Sequence, residues 1–512
     1  MAAGSPTPAA GTRAPIGVLA AACISTLVVN ANTSAVTILL PSISEDVGAP
    51  VAELQWAVTG YSLVGAAVIV TSGALGDVLG RRKVFLGGLA LFIGSCVLIA
   101  LSTTAAGVVG GRMVQGASGA TILACGMSLL SVASSGQGQM KAITLWGAAS
   151  AVGAAAGPLI GGLLVDSTGW QGLFWIDAGI AAACVPLTIA TVAESRDPNR
   201  SRSIDWAGTV LIALALGPVV LALSKGQDWG WASLATIGSF AVAIASTLLF
   251  VAVERRASAP LVDLQLLRNR VLVGATLAIL LVAGTINALM YVLSLYFQNP
   301  DGLGLSALQT GLATLPAAAG MIVVTPLIAP LAARIGPGRA VALGFALGAV
   351  GFAALAFVES SWTYGAFVLP MVALAVGLGI ANGPASSGST AAVEPAQVGS
   401  ASGISNMSRY VGAAVAVAAV AMINNAVTDN QREAGKGAAD ALAAGLSAAS
   451  LTMAIWSALG IALIALMARN RQARLRAVDR AAAAAASLHT IPAVPVEMAR
   501  RYPEAPSPVS LT

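Results

Sequence analysis

The sequence predicts an all-α polytopic membrane protein with 14 transmembrane helices. Of its 512 residues, 57% are hydrophobic and only 9% are charged, whereas a soluble globular chain carries about 25% charged residues. The apolar residues form runs of about 20, which is the length that crosses a bilayer as a helix. The bases fall mainly in alternate connections between these runs, and such a bias sets the orientation of a membrane protein.

The first apolar run is longer than the core of a signal peptide, about 7–15 residues, so we interpret it as a retained span. The basic net charge of +5 does not indicate nucleic-acid binding, because the bases lie in short loops between spans. The fourteen predicted spans cover residues 16–40, 54–75, 84–102, 106–132, 142–165, 173–192, 207–224, 233–252, 271–297, 308–332, 340–358, 364–383, 403–424 and 449–468.

The distribution of bases predicts that both termini are cytoplasmic, at the plasma (inner) membrane. Of the 26 Lys and Arg residues, 21 lie in one set of connections and tails, and Arg112 and Arg409 lie within spans. The opposite set of connections holds only Lys225, Arg432 and Lys436. An even number of spans places residues 1–15 and 469–512 on the same, base-rich side as two cytoplasmic tails.

The connection after the second span is a short hydrophilic turn, Gly73–Lys83. Its marked positions are Gly73, Asp77, Gly80, Arg81 and Arg82. Any membrane protein has basic loops that fix topology, so the spacing alone favours that interpretation. A weaker copy, Leu331–Arg339, follows the tenth span; there Gly336 corresponds to Gly80 and Ala333 to Asp77. This repeat predicts two six-helix halves, residues 16–192 and 253–468, separated by a cytoplasmic linker and two inserted helices, 193–252.

Several polar residues within spans are candidates for a substrate or proton site. Arg112 and Gln115 share a helix face with Gly116 and Gly119. An arginine within a span either faces protein or water, where it can bind substrate or sense a proton, or extends its side chain to the membrane surface. The ninth span carries Asn287 and Tyr291 on one face, for which cavity lining and core packing are equally good interpretations, and Arg409 lies in the thirteenth span.

A glycine stripe marks the fifth span. Gly153, Gly157 and Gly161 recur every four residues, which favours close helix packing, and Gly162 follows. Pro158 removes a backbone hydrogen bond and indicates a kink. Packing alone explains such a stripe, and a hinge is the functional alternative.

Three strings together resemble the major facilitator superfamily. They are Gly73-x-Leu75-x-Asp77-x-x-Gly80-Arg81-Arg82-Lys83, Arg112-x-x-Gln115-Gly116-x-x-Gly119 and Gly153-x-x-x-Gly157-Pro158-x-x-Gly161-Gly162. The third, with the inserted pair, is similar to the fourteen-span drug:proton antiporter branch. The resemblance implies the major facilitator fold, a lock between the two halves at Asp77 and Arg81, a functional Arg112, and a hinge in the fifth helix.

The chain departs from that branch at Asn32. The branch has an aspartate nine positions before the proline that corresponds to Pro41, and this chain has Asn32 there. We expect no carboxylate deep in any span, because Glu53, Asp166 and Asp177 lie near span ends. Asp177 stands near the position where the branch usually has an asparagine. Either Asp177 takes over the proton from the missing acid, or it is an exposed helix-end acid and coupling is lost.

The predicted function is efflux of amphipathic small molecules, drugs or antibiotics, by alternating access driven by proton antiport. One alternative is an exporter of a lipid or endogenous metabolite with weak or no proton coupling. Another is a non-transporting receptor or sensor on the same fold. An enzyme is not expected, because no cluster of His, acidic or nucleophilic residues appears at a membrane face. We expect a monomer in the lipid bilayer with a small-molecule substrate, without cofactor, metal or nucleic acid.

Overall fold

The computed structural model describes residues 14–196, 205–257, 260, 262, 264–317, 334–390, 392–393 and 397–488, and no strand occurs in these ranges. A short 3-10 helix covers Leu266–Arg268. The α-helices are α1 (Ile16–Val47), α2 (Val51–Leu54), α3 (Trp56–Leu79), α4 (Arg81–Ala100), α5 (Ala105–Ala133), α6 (Gly136–Thr168), α7 (Gln171–Thr191), α8 (Trp206–Trp229), α9 (Leu234–Glu254), α10 (Arg270–Gln298), α11 (307–317), α12 (Pro337–Leu355), α13 (Tyr364–Thr390), α14 (Val398–Glu433) and α15 (Ala438–Leu488).

Thirteen of these helical segments are long and apolar enough to cross a membrane. They confirm the predicted fold class and coincide with thirteen of the fourteen predicted spans. The tenth predicted span, 308–332, begins in α11, but residues 318–333 lie outside the described residues, as does the second-loop position Ala333.

Several helices run beyond the apolar stretches that predicted them. The last span was predicted from residue 449, whereas α15 begins at Ala438. The intervening sequence is rich in alanine, the best helix former, so the helix continues where hydrophobicity falls. At the other extreme, α1 ends when Gly48 adopts φ 63° and its N–H bonds to the Ser44 carbonyl. A left-handed glycine of this kind is a common helix stop.

The two loops related by the sequence repeat have the same backbone geometry. Gly80 has φ 119° directly before α4, and Gly336 has φ 86° directly before α12. Such values favour glycine, since a Cβ is strained there. Below, the Asp77 end of the helix bundle is the end that carries the Gly73–Lys83 loop, and the Pro50 end is the opposite one.

The helices pack in two groups that contact each other. The first group pairs α1 with α6, α3 with α5, and α4 with α5 and α7; the second pairs α10 with α13 and α14, and α12 with α13. The groups meet through α3 and α14 and through α1 and α10. The inserted helices α8 and α9 pack on each other, and α8 also packs on both α3 and α14. Its Val220 is fully buried against Ala414 and Ala418.

The chain divides into two compact units, Met1–Ile464 and Ala465–Thr512. The first unit contains every residue discussed below.

Candidate functional site

A buried acid and amide from different helices bond directly to each other. The Asn32 Nδ2 atom in α1 donates to the Asp177 Oδ2 atom in α7 at 2.7 Å. Asn32 is 0% and Asp177 4% exposed. Asn32 lies near the middle of the 32-residue helix α1. The expectation that no carboxylate lies deep in a span is therefore wrong. Although Asp177 is near the start of α7, it is buried against the middle of α1.

Arg112 from α5 completes a chain of charge and hydrogen bonds. Its NH1 atom donates to the Asn32 Oδ1 atom at 2.5 Å and also to the Gln115 Oε1 atom, and its Nε atom donates to the Ala57 carbonyl at 3.0 Å. Arg112 is 0% exposed, so the surface-reaching interpretation of this side chain is wrong. Asn32 therefore stands between an acid and a cation, using its amide nitrogen toward one and its oxygen toward the other.

Two further neighbours enclose this network. The Gln115 Nε2 atom donates to the Cys96 Sγ atom at 3.0 Å. On the other side, the Arg112 guanidinium carbon lies 4.3 Å from the centre of the Tyr61 ring, within the range of a cation–π interaction. We define the acid–arginine network as Asp177, Asn32, Arg112, Gln115 and Tyr61.

One aromatic contact connects this network to the second helix group. The ring centroids of Tyr61 in α3 and Tyr410 in α14 are 6.3 Å apart. The tyrosines can approach because the residue one helical turn after Tyr61 is Gly65. A Cβ on Gly65 would lie 2.6 Å from the Tyr410 ring. A movement of α14 relative to α3 therefore acts on the ring that covers Arg112.

Arg409, next to Tyr410, has only neutral partners. Its NH1 atom donates to the Asn382 Oδ1 atom at 2.9 Å and its NH2 atom donates to the Ser386 Oγ atom, both in α13. The side chain is half-buried. Arg112 therefore lies against Tyr61, whereas the partners of Arg409 are on α13.

The other candidates on α10 do not join this site. The Asn287 Nδ2 atom donates to the Ala283 carbonyl of its own helix at 2.9 Å. Tyr291 is 1% exposed and belongs to the main hydrophobic core. Of the two interpretations of this pair, the structure favours core packing for Tyr291.

The glycine stripe of α6 packs closely on α1. A Cβ on Gly157 would come 2.8 Å from the Ser34 Cβ atom and also meet the Ala31 carbonyl, and one on Gly161 would come 3.1 Å from the Ala35 Cβ atom. A Cβ on Gly153 would likewise meet the Leu27 carbonyl. These contacts flank Asn32, so the stripe sets the position of the α1 segment that carries it.

The adjacent face of α6 packs on α11. A Cβ on Gly162 would lie 2.5 Å from the Ala307 carbonyl, and a Cβ on Gly311 would lie 2.5 Å from the Pro158 carbonyl. At the Pro50 end, the Ser294 Oγ and Gln298 Nε2 atoms of α10 donate to the Thr37 and Ile38 carbonyls of α1 at 3.0 and 3.1 Å. The contacts of α10 with α1 join the two helix groups.

The Gly73–Lys83 loop is fixed by contacts to the end of α7. Asp77 and Arg81 form an ion pair at 2.8 Å. The Arg82 NH2 atom donates to the Ile189 carbonyl at 2.8 Å. A Cβ on Gly73 would meet nothing within 4 Å, whereas one on Gly80 would lie 2.6 Å from the Glu194 carboxylate. Gly80 is therefore required for close approach, and Gly73 is not.

The acid, the amide, Arg112 and Gln115 were predicted from the sequence, whereas the two tyrosines and the partners of Arg409 were not. Tyr61 and Tyr410 occur in apolar stretches, and nothing in their spacing indicates that they meet. Asn382 lies at the end of the predicted span 364–383 and Ser386 lies beyond it, and their i, i+4 spacing is the one signal in the sequence that they share a helix face. Among the described residues, no group of three or more His, Cys, Asp or Glu is placed to hold a metal ion.

The chain is similar to known proteins in sequence and in fold. The family description "Major Facilitator Superfamily" matches residues 22–417. The chain is 32% identical over 422 residues to the tetracenomycin C resistance and export protein of Streptomyces glaucescens, covering 81% of this chain and 77% of that one. It is 31% identical over 456 residues to the multidrug efflux pump LfrA of Mycolicibacterium smegmatis, covering 86% and 90%.

A third relative, the cephamycin export protein CmcT of Amycolatopsis lactamdurans, is 31% identical over 415 residues, covering 80% of this chain and 85% of that one. Among solved structures, the POT family transporter PepTSo superposes with a TM-score of 0.64 at 13% identity, covering 89% and 99%. The human organic anion transporter MFSD10 (TETRAN) superposes with a TM-score of 0.58 at 17% identity, covering 88% and 100%. At these identities the two structures show the shared fold alone.

These findings and the helical fold define a multi-pass membrane transporter rather than an enzyme. The chain belongs to the Major Facilitator Superfamily.

Proposed function

We propose that this transporter exports amphipathic small molecules, such as drugs or antibiotics, by alternating access driven by proton antiport. The relatives named as export proteins or efflux pumps support the direction and the substrate class. The single observation that carries the coupling is the bond between Asp177 and Asn32, with Arg112 on the other side of the amide.

Asp177 is the proposed proton carrier, because it is the one member of the acid–arginine network that has a carboxylate. Asn32 cannot titrate, but its amide can donate and accept at the same time. With Asp177 ionised, its negative charge balances Arg112 through the amide. Protonation of Asp177 removes that balance and leaves Arg112 as an uncompensated buried cation, which is costly. The network then rearranges, and the proposed route to the second helix group is the Tyr61–Tyr410 contact.

In the proposed orientation the protein lies in the plasma (inner) membrane. The Asp77 end faces the cytoplasm, and both tails are cytoplasmic. The 21 bases on that side support it. Reporter fusions after Arg82 and Arg339 should report cytoplasmic, and a fusion after Asp301 should report outside. An outside signal after Arg339 would contradict both the orientation and the proposed repeat.

The proposed division is that of two six-helix halves, 16–192 and 253–468, acting as a monomer. The inserted pair, 193–252, is proposed to support the seam between the halves, since α8 packs on both α3 and α14. In this scheme Gly157 and Pro158 give α6 a hinge, and the Asp77–Arg81 pair belongs to a cytoplasmic lock.

Transport in sealed inside-out vesicles, with and without an imposed pH gradient, tests the proposal. We expect the gradient to drive substrate uptake into these vesicles, and Asp177→Asn to abolish the response to the gradient. The matched control is Asn32→Asp combined with Asp177→Asn, which exchanges the acid and the amide and keeps one of each. This double variant should restore gradient-driven transport at least in part.

The outcomes separate the alternatives. Transport that ignores the gradient in the wild type would favour an uncoupled exporter of a lipid or metabolite. A normal gradient response in Asp177→Asn would place the proton site elsewhere. Binding of substrates without any transport would favour a receptor on the same fold.

A further inference from the structure

The second arginine, Arg409, carries a charge that no described residue neutralises. Its two hydrogen-bond partners are the amide oxygen of Asn382 and the hydroxyl of Ser386. The ion pairs among the described residues join Arg81 to Asp77 and Lys225 to Asp228, and neither includes Arg409. An arginine within a membrane span is expensive and is normally paired or functional.

No acidic side chain is available nearby on the described helices of the second group. Helices α10, α11, α12 and α13 contain no Asp or Glu in their described residues, and α14 contains Asp429 and Glu433 near the Pro50 end. At a rise of about 1.5 Å per residue, Asp429 lies about 30 Å along the helix from Arg409. Asp177 is already bonded to Asn32, which in turn accepts from Arg112.

The Arg409 guanidinium also has unused donors. A guanidinium presents five N–H groups in a planar fork, and the described residues accept from one on NH1 and one on NH2. This fork matches the two oxygens of a carboxylate and forms strong charge-assisted hydrogen bonds with it. A neutral shell that holds an arginine in place without neutralising it favours an anionic ligand.

The position of Arg409 is suited to a transported ligand. Asn406 and Ser402 precede Arg409 by three and seven residues, so the three share one face of α14. The Ser402 Oγ atom lies 3.7 Å from the Met127 Sδ atom of α5 in the first helix group. This polar face therefore lies at the seam between the groups, where alternating access must open and close.

We infer that Arg409, held by Asn382 and Ser386, binds an anionic group of the exported molecule, such as a carboxylate, phenolate or sulfonate. The inference rests on the proposed export function and narrows its substrate class from amphipathic molecules in general to amphipathic anions. Arg112 does not serve this purpose, because Asp177 balances it through Asn32.

The charge of the substrate has a consequence for energetics. Export of one monovalent anion in exchange for one proton moves two positive charges inward, whereas export of a monovalent cation for one proton moves none. The membrane potential drives every net charge that crosses the membrane. A potassium diffusion potential, negative on the cytoplasmic face, should therefore accelerate export of an anion and leave export of a cation unchanged.

The test compares carboxyfluorescein, neutral Nile red and cationic ethidium in proteoliposomes containing the full chain. We expect transport of carboxyfluorescein in the wild type. Arg409→Gln should lower carboxyfluorescein transport about 10-fold or more, the loss expected for one charge-assisted contact, and change Nile red transport less than about 2-fold. Arg409→Lys should retain part of the anion transport. The matched control is Arg432→Gln, an exposed arginine on the same helix, which should transport all dyes as the wild type does.

Several outcomes would overturn the inference. One is transport of ethidium or Nile red but not carboxyfluorescein by the wild type. Another is that Arg409→Gln lowers the transport of all three dyes equally, while the purified variant still binds carboxyfluorescein as the wild type does. If the wild type transports no dye, the proposed function fails, and binding to purified protein decides the site: carboxyfluorescein that binds the wild type and Arg409→Gln equally would contradict it.

Discussion

The two arginines within the membrane spans have the same chemistry and opposite surroundings. Arg112 is fully buried and reaches Asp177 through Asn32. Arg409 is half-buried and contacts an amide and a hydroxyl. The difference teaches that an arginine in a span takes its role from its counter-charge. In the proposed scheme Arg112 belongs to the proton site, whereas Arg409, which no described acid neutralises, binds the anionic group of the substrate.

The largest expected effect is on stability at Arg112. Arg112→Gln leaves the buried Asp177 without its counter-charge, and breaking a buried pair in this way costs about 3–5 kcal/mol. Arg409→Gln removes a charge that has no counter-charge among the described residues, so the free energy of unfolding should fall by less than about 1 kcal/mol. Thermal unfolding of the purified variants in detergent measures both. Recovery of stability in Arg112→Gln combined with Asp177→Asn is the control, and equal destabilisation by the two single variants would contradict the comparison.

A second variant disturbs the Arg112 side without changing any member of its network. Gly157→Leu places a side chain against the Ala31 carbonyl and Ser34 of α1, beside Asn32, and overpacking of this kind costs about 1–3 kcal/mol. We expect the protein to insert but to lose gradient-driven transport, while binding of carboxyfluorescein persists. Gly147→Leu is the matched control, since a Cβ there meets nothing within 4 Å. Unchanged transport in Gly157→Leu would show that close packing of α6 on α1 is not required.

A third variant tests whether the roles proposed for the two arginines can be separated. Tyr61→Leu removes the ring over Arg112, and a cation–π contact of this kind is worth about 0.5–2 kcal/mol. Gradient-driven transport should fall about 10-fold, because the ring covers Arg112. Carboxyfluorescein binding should change less than about 2-fold, because the ring is not a partner of Arg409. Tyr61→Phe keeps the ring and serves as the control. A loss of anion binding in Tyr61→Leu would place the ring within the binding site instead.

The smallest effect on stability is expected at the Asp77 end. Asp77 and Arg81 are 16% and 15% exposed, and ion pairs near a surface contribute about 0–1 kcal/mol. Asp77→Ala should therefore leave thermal unfolding almost unchanged and still slow transport, if the pair is part of a lock between states. Asp228→Ala, which breaks the exposed pair with Lys225, is the control. Wild-type transport by Asp77→Ala would leave the loop with a topological role only.

The sequence predicted what depends on hydrophobicity and local spacing. Apolar runs located thirteen helices, and the turn glycines Gly80 and Gly336 were placed correctly before helices. The resemblance to the antiporter branch identified Asn32, nine positions before Pro41, as the position of the missing acid. It also made Asp177 the candidate substitute. The depth of Asp177 could not be predicted, because distance from a helix end says nothing about how far neighbouring helices extend.

The remaining site residues depend on contacts between distant parts of the chain. Tyr61 and Tyr410 meet only because Gly65 lets α14 approach α3. Likewise, the neutral shell of Arg409 follows from the rotation of α13 about its axis, which presents Asn382 and Ser386 to α14. Helix rotation is set by tertiary packing, and a single sequence does not state it.

The first turn of α4 has a consequence for the order of synthesis. Its leading N–H groups, on Arg81 and Arg82, bond to the Ser195 carbonyl and the Glu194 carboxylate. The carboxylate lies 112 residues later in the chain than the N–H group it accepts from. At a translation rate of about 5–20 residues per second, the basic turn waits roughly 6–22 s for this partner. Until then the turn has only its local contacts, such as the Asp77–Arg81 ion pair, and its contacts to residues 194 and 195 form only after α7 has been made.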